Sequence, residues 1–237
     1  MKIFNAVNNL LFPPHCIFCD CITDFRNEYH ICDKCREAVT PLMGNRCKVC
    51  LRETRGNFGT DLCAACRTKM PYFDRLRSCY EYNKYVRNCV LRLKFHQRYD
   101  HARTMGMLMT NLIEEGSADY IIPVPVSKER LRERGYNQSV LFSKEISAGT
   151  KIPMRTDLLF KIKDTKPQSS LKFNERTENV KNSYKAASGE LLKGKRIILT
   201  DDVATTRSTI NECAKVLKKA GAKSVECVTF AVAVEHT

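Results

Sequence analysis

Two neighbouring carboxylates, Asp201 and Asp202, precede a run rich in hydroxyls and small side chains: Val203, Ala204, Thr205, Thr206, Arg207, Ser208 and Thr209. Adjacent carboxylates accept hydrogen bonds from a pair of vicinal hydroxyls. The free N–H groups and positive dipole at a helix start attract an anion. A sugar phosphate needs both. A second set of residues carries different chemistry. Cys16-x2-Cys19 is followed by Cys32-x2-Cys35, and Cys47-x2-Cys50 by Cys63-x2-Cys66, with the same intervening spacing each time. Each Cys-x2-Cys aims two sulfurs at one ion, and two such pairs complete a tetrahedron.

The elements that must place the acids are a strand before them and a helix after. The apolar run Ile197, Ile198, Leu199 predicts a buried strand. Thr209 and Glu212 have the spacing of a capping box. Ile210, Cys213, Ala214 and Leu217 fall on one helical stripe, and Gly221 suits its end. Many α/β proteins place Asp and Thr at such a junction only to cap the helix. Spacing alone does not choose between capping and ligand binding.

The cysteine repeat predicts structural Zn²⁺, because four thiolates leave no open coordination position. Binding of this kind supplies about 10–16 kcal/mol in zinc-finger peptides, enough to fold a small module. Redox Cys-x2-Cys motifs and a disulfide cluster are the other readings. Sequential pairing (16/19/32/35 and 47/50/63/66) is the simplest, and a cross-braced arrangement stays open. His15, Cys21 and His30 read as bystanders, since eight cysteines suffice. Cys79, Cys89, Cys213 and Cys227 sit in apolar patterns and read as small core residues.

The chain has 237 residues, a net charge of +14 and 13 cysteines. The length allows one large or two modest domains, with a boundary expected near residue 70: 1–70 and 71–237. The charge predicts acidic partners, whether nucleic acid, phosphorylated small molecules or anionic lipid. An odd cysteine count argues against a secreted disulfide framework and for the reducing cytoplasm. No signal peptide is expected, and no run approaches the ~18 apolar residues of a membrane span. Ile3, Phe4, Val7, Leu10 and Leu11 suggest a short amphipathic helix.

Beyond residue 70, strands are expected over 76–82, 120–126 and 225–234. Helical stripes are expected at Val86/Cys89/Val90/Leu93 and Met105/Leu108/Met109/Leu112. Strands alternating with helices from Tyr120 onward predict an α/β parallel sheet flanked by helices, with ligands beyond the strand carboxyl ends. The basic stretch 94–98, with an aromatic in it, reads as a solvated loop, with contact to a nucleic-acid backbone as its other reading; Asn137 reads as a helix cap.

The stretch from Asp201 to Thr209 resembles the phosphoribosyl pyrophosphate (PRPP) loop of type I phosphoribosyltransferases. That likeness implies that Asp201 and Asp202 hold the ribose hydroxyls while the turn through Val203, Ala204, Thr205, Thr206, Arg207, Ser208 and Thr209 wraps the 5′-phosphate. The family usually has Gly where this chain has Arg207; Arg in a left-handed conformation costs roughly 1–2 kcal/mol, although a guanidinium could instead clamp phosphate.

Pro123-Val-Pro125 followed by Arg132-Glu-Arg-Gly-Tyr-Asn-Gln138 resembles a signature of the ComF family. Thr165-Lys-Pro-Gln168, Leu171, Glu175-Arg176 and Asn179-Val180 resemble its second. The cysteine pairs, both blocks and the PRPP-type loop come in the family's order. The resemblance implies an N-terminal small zinc-ribbon domain on a type I phosphoribosyltransferase-like α/β domain, associated with DNA uptake in competent bacteria. It implies PRPP and Mg²⁺ as ligands, a pyrophosphate loop over 124–128 (Val126, Ser127 and Lys128 among its contacts), and a closing loop over 163–181. Arg130, Arg132 and Arg134 are candidates for the leaving group, with surface ion pairs to Glu129 and Glu133 as their other reading.

Three functions follow: a PRPP-using transferase of unknown acceptor; a non-catalytic protein holding single-stranded DNA on its basic surface, strongly so over 151–196, though without regular aromatic interleaving; and a zinc-ribbon adaptor for other DNA-uptake proteins.

Overall fold

The computed structural model describes residues 13–234 except 25, 40, 43, 55–60, 97 and 164–179. The expected amphipathic helix before residue 12, most of the expected closing loop and most of the second signature block therefore lie outside the described residues.

Four parallel strands form the central sheet in the order β1-β6-β5-β2: β1 (Arg75–Glu81), β2 (Tyr120–Pro123), β5 (Arg196–Ala204) and β6 (Ser224–Val232). The central pair, β5 and β6, is apolar on both faces, as a strand covered on both sides must be. Alternation then divides the core. Ile198, Val228 and Phe230 face one apolar cluster; Ile197, Leu199, Val225 and Cys227 face the other.

Over the first face pack α3 (Lys84–Phe95), α4 (Tyr99–Thr110) and α6 (Gln138–Thr150). Val86, Cys89, Val90 and Leu93 are buried as the helical stripe predicts, and so are Met105 and Met109. Gly106 lets α4 and α6 approach: a Cβ there would stand 2.5 Å from the Glu145 Cβ. The other face is covered by α8 (Ser208–Lys219), whose stripe of Ile210, Cys213, Ala214 and Leu217 is buried. The short helices α5 (Lys128–Arg134) and α7 (Gly189–Leu192) and the antiparallel pair β3 (Leu159–Lys161) and β4 (Tyr184–Ala186) complete this region. Asn137 caps α6, accepting from the Ser139 amide at 3.0 Å.

The cysteine repeat is visible position for position. Each unit has a bridge, His15 to Ile22 and Arg46 to Glu53. Each has a left-handed residue after its second cysteine, Asp20 (φ 69°) and Leu51 (φ 61°). Each closes on a short helix, α1 (Asp33–Ala38) and α2 (Ala64–Thr68), that starts directly after a cysteine. The units sit on opposite faces of the sheet. Cys16, Ile17 and Phe18 belong to the first apolar cluster, where the Phe18 ring meets Tyr80 at 5.5 Å and Phe230 at 6.3 Å. Cys47, Cys50, Cys63 and Cys66 belong to the second, with Phe73, Leu76 and Ile210.

Candidate functional site

β5 ends on the two acids, and both are nearly buried, Asp201 9% and Asp202 4% exposed. Neither is sealed away. They line one cavity of about 530 Å³ together with Val124, Val126, Arg130, Arg134, Lys161 and Thr209.

Their surroundings differ, because neighbours on a strand point to opposite faces. Asp202 accepts from the Gln138 side-chain amide at 3.0 Å and pairs with the Lys94 ammonium at 2.7 Å. Asp201 accepts from the Asp202 backbone N–H at 2.9 Å and from the Ser139 hydroxyl at 3.4 Å. Burial, and then the Asp202 charge, push the Asp201 carboxyl up to about 7, against a lowering pull from Lys94.

Lys94 corrects the expectation of a solvated loop at 94–98. It lies in the last turn of α3 and reaches the acids. Only tertiary packing brings it there. A basic residue three positions from Leu91 and four from Val90 on an amphipathic helix was the one sequence signal available.

The turn after the acids divides. Val203, Thr205 and Thr209 line the cavity with Asp201 and Asp202. Ala204 is a buried strand residue paired with Val232. Thr206, Arg207 and Ser208 line a second cavity of about 350 Å³ on the other side, against Cys50, Cys66 and Tyr72. The capping box is not what starts α8. Arg207 is the N-cap, with no side-chain cap bond; the Thr206 hydroxyl accepts from the Ser208 amide at 3.3 Å, and Glu212 accepts from the Asn182 amide at 3.0 Å.

Arg207 has φ 65°, the left-handed conformation that costs a side-chain-bearing residue roughly 1–2 kcal/mol. Its guanidinium does not face the larger cavity as a phosphate clamp would. It donates to the carbonyls of Thr205 at 2.7 Å and Cys50 at 3.3 Å.

Of the 124–128 stretch, Val124, Pro125 and Val126 line the cavity, and Lys128 is not among its lining. Ser127 caps α5, accepting from the Arg130 amide at 3.3 Å. Arg130 and Arg134 line the cavity; Arg132 does not.

The thiols of Cys47, Cys50, Cys63 and Cys66 are all buried and lie within 4.8 Å of one another. Burial pushes the Cys47 thiol up, but backbone N–H groups of Cys63, Cys50 and Val49 outweigh it and bring it to about 7. Four soft donors, one already disposed to ionise, fit structural zinc. Sequential pairing is thereby favoured over cross-bracing.

The first unit differs from expectation. Its four mutually close sulfurs are Cys16, Cys19, Cys21 and Cys32. Cys21 stands 3.3 Å from Cys19, so it is no bystander. Cys35 is buried beside them, its thiol raised by burial and by hydrogen bonding with Cys19 and Cys32. Five thiols thus converge where four are needed, because Cys21 occupies the place that Arg52 holds in the second unit.

A parallel sheet with two acids and a hydroxyl-rich turn at a strand end, joined to two cysteine ribbons, defines a phosphoribosyltransferase-type domain carrying zinc ribbons. The double zinc ribbon domain family matches residues 7–67, and the phosphoribosyl transferase domain family matches residues 137–236.

The chain belongs to the ComF family. It is 28% identical to Competence protein F of Haemophilus influenzae over 82% of this chain and 93% of that one. It is 30% identical to DNA utilization protein YhgH of Escherichia coli O157:H7, over 69% and 74% of the two chains. It is 27% identical to Competence protein ComFC of Bacillus subtilis, over 84% and 83%.

Proposed function

We propose that the protein is a PRPP-binding phosphoribosyltransferase-type protein acting in DNA uptake during natural transformation. The carrying observation is that Asp201 and Asp202 share one cavity with Val203, Thr205 and Thr209 of the turn that opens α8. In this reading the acids hold the ribose hydroxyls, and charged hydrogen bonds of that kind contribute about 1.5–3 kcal/mol each. The turn's amides hold the 5′-phosphate. Arg130 and Arg134 face the leaving pyrophosphate. The C1–O bond breaks and its electron pair leaves with pyrophosphate; an acceptor lone pair forms the new bond to C1, and the acceptor atom then gives up its proton to solvent. The positive charge that develops at C1 needs a water-poor, preorganised site rather than a protein nucleophile. Mg²⁺ would enter with PRPP and offset the charge that builds on the departing pyrophosphate.

The division at residue 70 separates the two parts in sequence: zinc-holding ribbons before it and the transferase-type domain after it. The names of the relatives, competence and DNA utilization proteins, support a role with incoming DNA. A second reading, single-stranded DNA held beside the cavity, is favoured by Phe95, which lines it and is 64% exposed, and by Tyr99, which is 49% exposed. The Arg134 guanidinium lies 5.1 Å over the Phe95 ring, and Tyr99 meets Tyr136 at 4.8 Å. Such a group stacks bases without regard to sequence.

Titration calorimetry with PRPP and Mg²⁺ tests the principal reading. The wild type is expected to bind and the Asp201→Ala/Asp202→Ala double variant to lose all measurable heat. Equal affinity in the double variant would remove the acids from the site.

A further inference from the structure

Arg207 joins the turn after the acids to the second ribbon through hydrogen bonds from a single side chain, to the Thr205 and Cys50 carbonyls. It is 4% exposed. Its backbone takes φ 65°, a conformation in which glycine is the ordinary choice, and its carbonyl accepts the Asn211 amide at 3.0 Å, inside the first turn of α8. Cys50, whose carbonyl receives Nε, is the second cysteine of a knuckle, and the next residue, Leu51, is left-handed and donates back to the Cys47 carbonyl at 3.0 Å. The direction of the Cys50 carbonyl is therefore set by the knuckle, which a metal on its thiols would hold. The ribbon is also anchored elsewhere: Val49 accepts from the Leu76 amide at 2.8 Å, and Asn211 accepts from the Tyr72 amide at 2.7 Å. Those bonds hold the ribbon against β1 and α8. Arg207 alone of these reaches the turn that follows the acids, where its other nitrogen holds the Thr205 carbonyl.

We propose that Arg207 is a positioning residue that transmits the metal state of the second ribbon to the phosphate turn, so that zinc held by Cys47, Cys50, Cys63 and Cys66 sets the turn's affinity for its ligand. The proposal rests on the PRPP reading for the identity of that ligand, not for the tie itself. A metal-loaded knuckle keeps the carbonyl where Nε can reach it. The guanidinium then holds residues 205–207 in the shape that presents their amides. Loss of the metal frees the knuckle, and the turn loses its brace although no residue of the turn has changed. By linkage the effect is reciprocal: a ligand on the turn raises the second ribbon's affinity for zinc by the same factor.

Hydrogen–deuterium exchange on the full chain tests the tie without any ligand. Wild type and Arg207→Gly are compared, each zinc-loaded and after chelator treatment, with zinc content read colorimetrically. Glycine suits φ 65°, so the variant keeps the backbone and loses only the side chain. Chelation is expected to raise exchange at 205–209 in the wild type about tenfold, within the ordinary range of such coupling. In Arg207→Gly the exchange is expected to be raised already and to respond no further, with the β5 amides of Ile197 to Leu199 unchanged in all four samples. Equal responses to chelation in the two proteins would overturn the proposal. In calorimetry with PRPP and Mg²⁺, the zinc-loaded glycine variant is expected to bind about tenfold more weakly than wild type at an unchanged thermal midpoint. Equal or tighter binding by the variant would also overturn it. A wild type that binds no PRPP would sink the transferase reading alone, and the exchange comparison would still judge the tie.

Discussion

Asp201 and Asp202 are chemically identical side chains in unlike surroundings. Asp202 is met by an ammonium and an amide. Asp201 is buried beside a second negative charge, and its carboxyl rises to about 7. The sign follows from which state binds more protons. Between its ordinary value of 3.8 and about 7 the folded protein keeps a proton on Asp201 that the unfolded chain has lost, so this group makes stability fall as pH rises through that window. His101, fully buried, works the other way. Burial brings it down from 6.5 to about 4, so its contribution is present above 6.5 and is lost as pH falls towards 4. Asp201→Asn removes the first slope and leaves the second. Its stability to urea is expected to exceed wild type by roughly 2–4 kcal/mol at pH 7.5 and to climb more steeply between pH 4 and 6.5. A variant that tracks the wild-type profile would show that Asp201 is ionised throughout. In the wild type, PRPP binding near pH 7 is expected to release a proton, read from calorimetric heats in buffers of different ionisation enthalpy.

The elements differ in what the residues ask of them. β5 and α8 carry their own instructions. An apolar run, two acids, a hydroxyl turn and a helical stripe lie consecutively in the chain, so local pattern was enough to place the candidate cradle. The capping box failed because Arg207, not Thr209, takes the N-cap, and Glu212 is drawn to the Asn182 amide instead. The two ribbons share a local plan but not an environment. All four cysteines of the second are buried in the same apolar cluster as Ile210 and Leu217, whereas Cys19 and Cys21 of the first are exposed. Cys63→Ser is therefore expected to lower the thermal midpoint by at least about 5 °C more than Cys19→Ser, since each kcal/mol moves a chain of this size by roughly 2–4 °C. In the first ribbon Cys21 is at hand to replace a lost thiol; in the second the equivalent position is Arg52. Equal shifts in the two variants would mean that burial does not distinguish the sites.

On the scale of the molecule, a net charge of +14 gives a long-range field that draws polyanions. Field alone gives binding without stacking. Phe95 and Arg134 line the cavity and Tyr99 is exposed on the following helix, and replacing both aromatics by Ala is expected to weaken an oligothymidylate complex by about 1–3 kcal/mol per lost stack at fixed salt, measured by fluorescence anisotropy. Unchanged affinity would assign the binding to charge alone. No helix among the described residues is long and apolar enough to cross a membrane.

From its sequence alone, this protein disclosed the parallel α/β sheet, the repeated cysteine quartets and the adjacency of two acids to a hydroxyl-rich turn that opens a helix. Each of these is written over a few consecutive residues or as a fixed spacing, and needs no distant partner to be seen. Tertiary structure decided the rest. It set Lys94 against Asp202, laid Arg134 over Phe95 at the cavity, drew Cys21 into the first thiol cluster, and turned Arg207 from the larger cavity towards the second ribbon. These are contacts between elements far apart in the chain, fixed by which faces the sheet buries, and no local pattern records them.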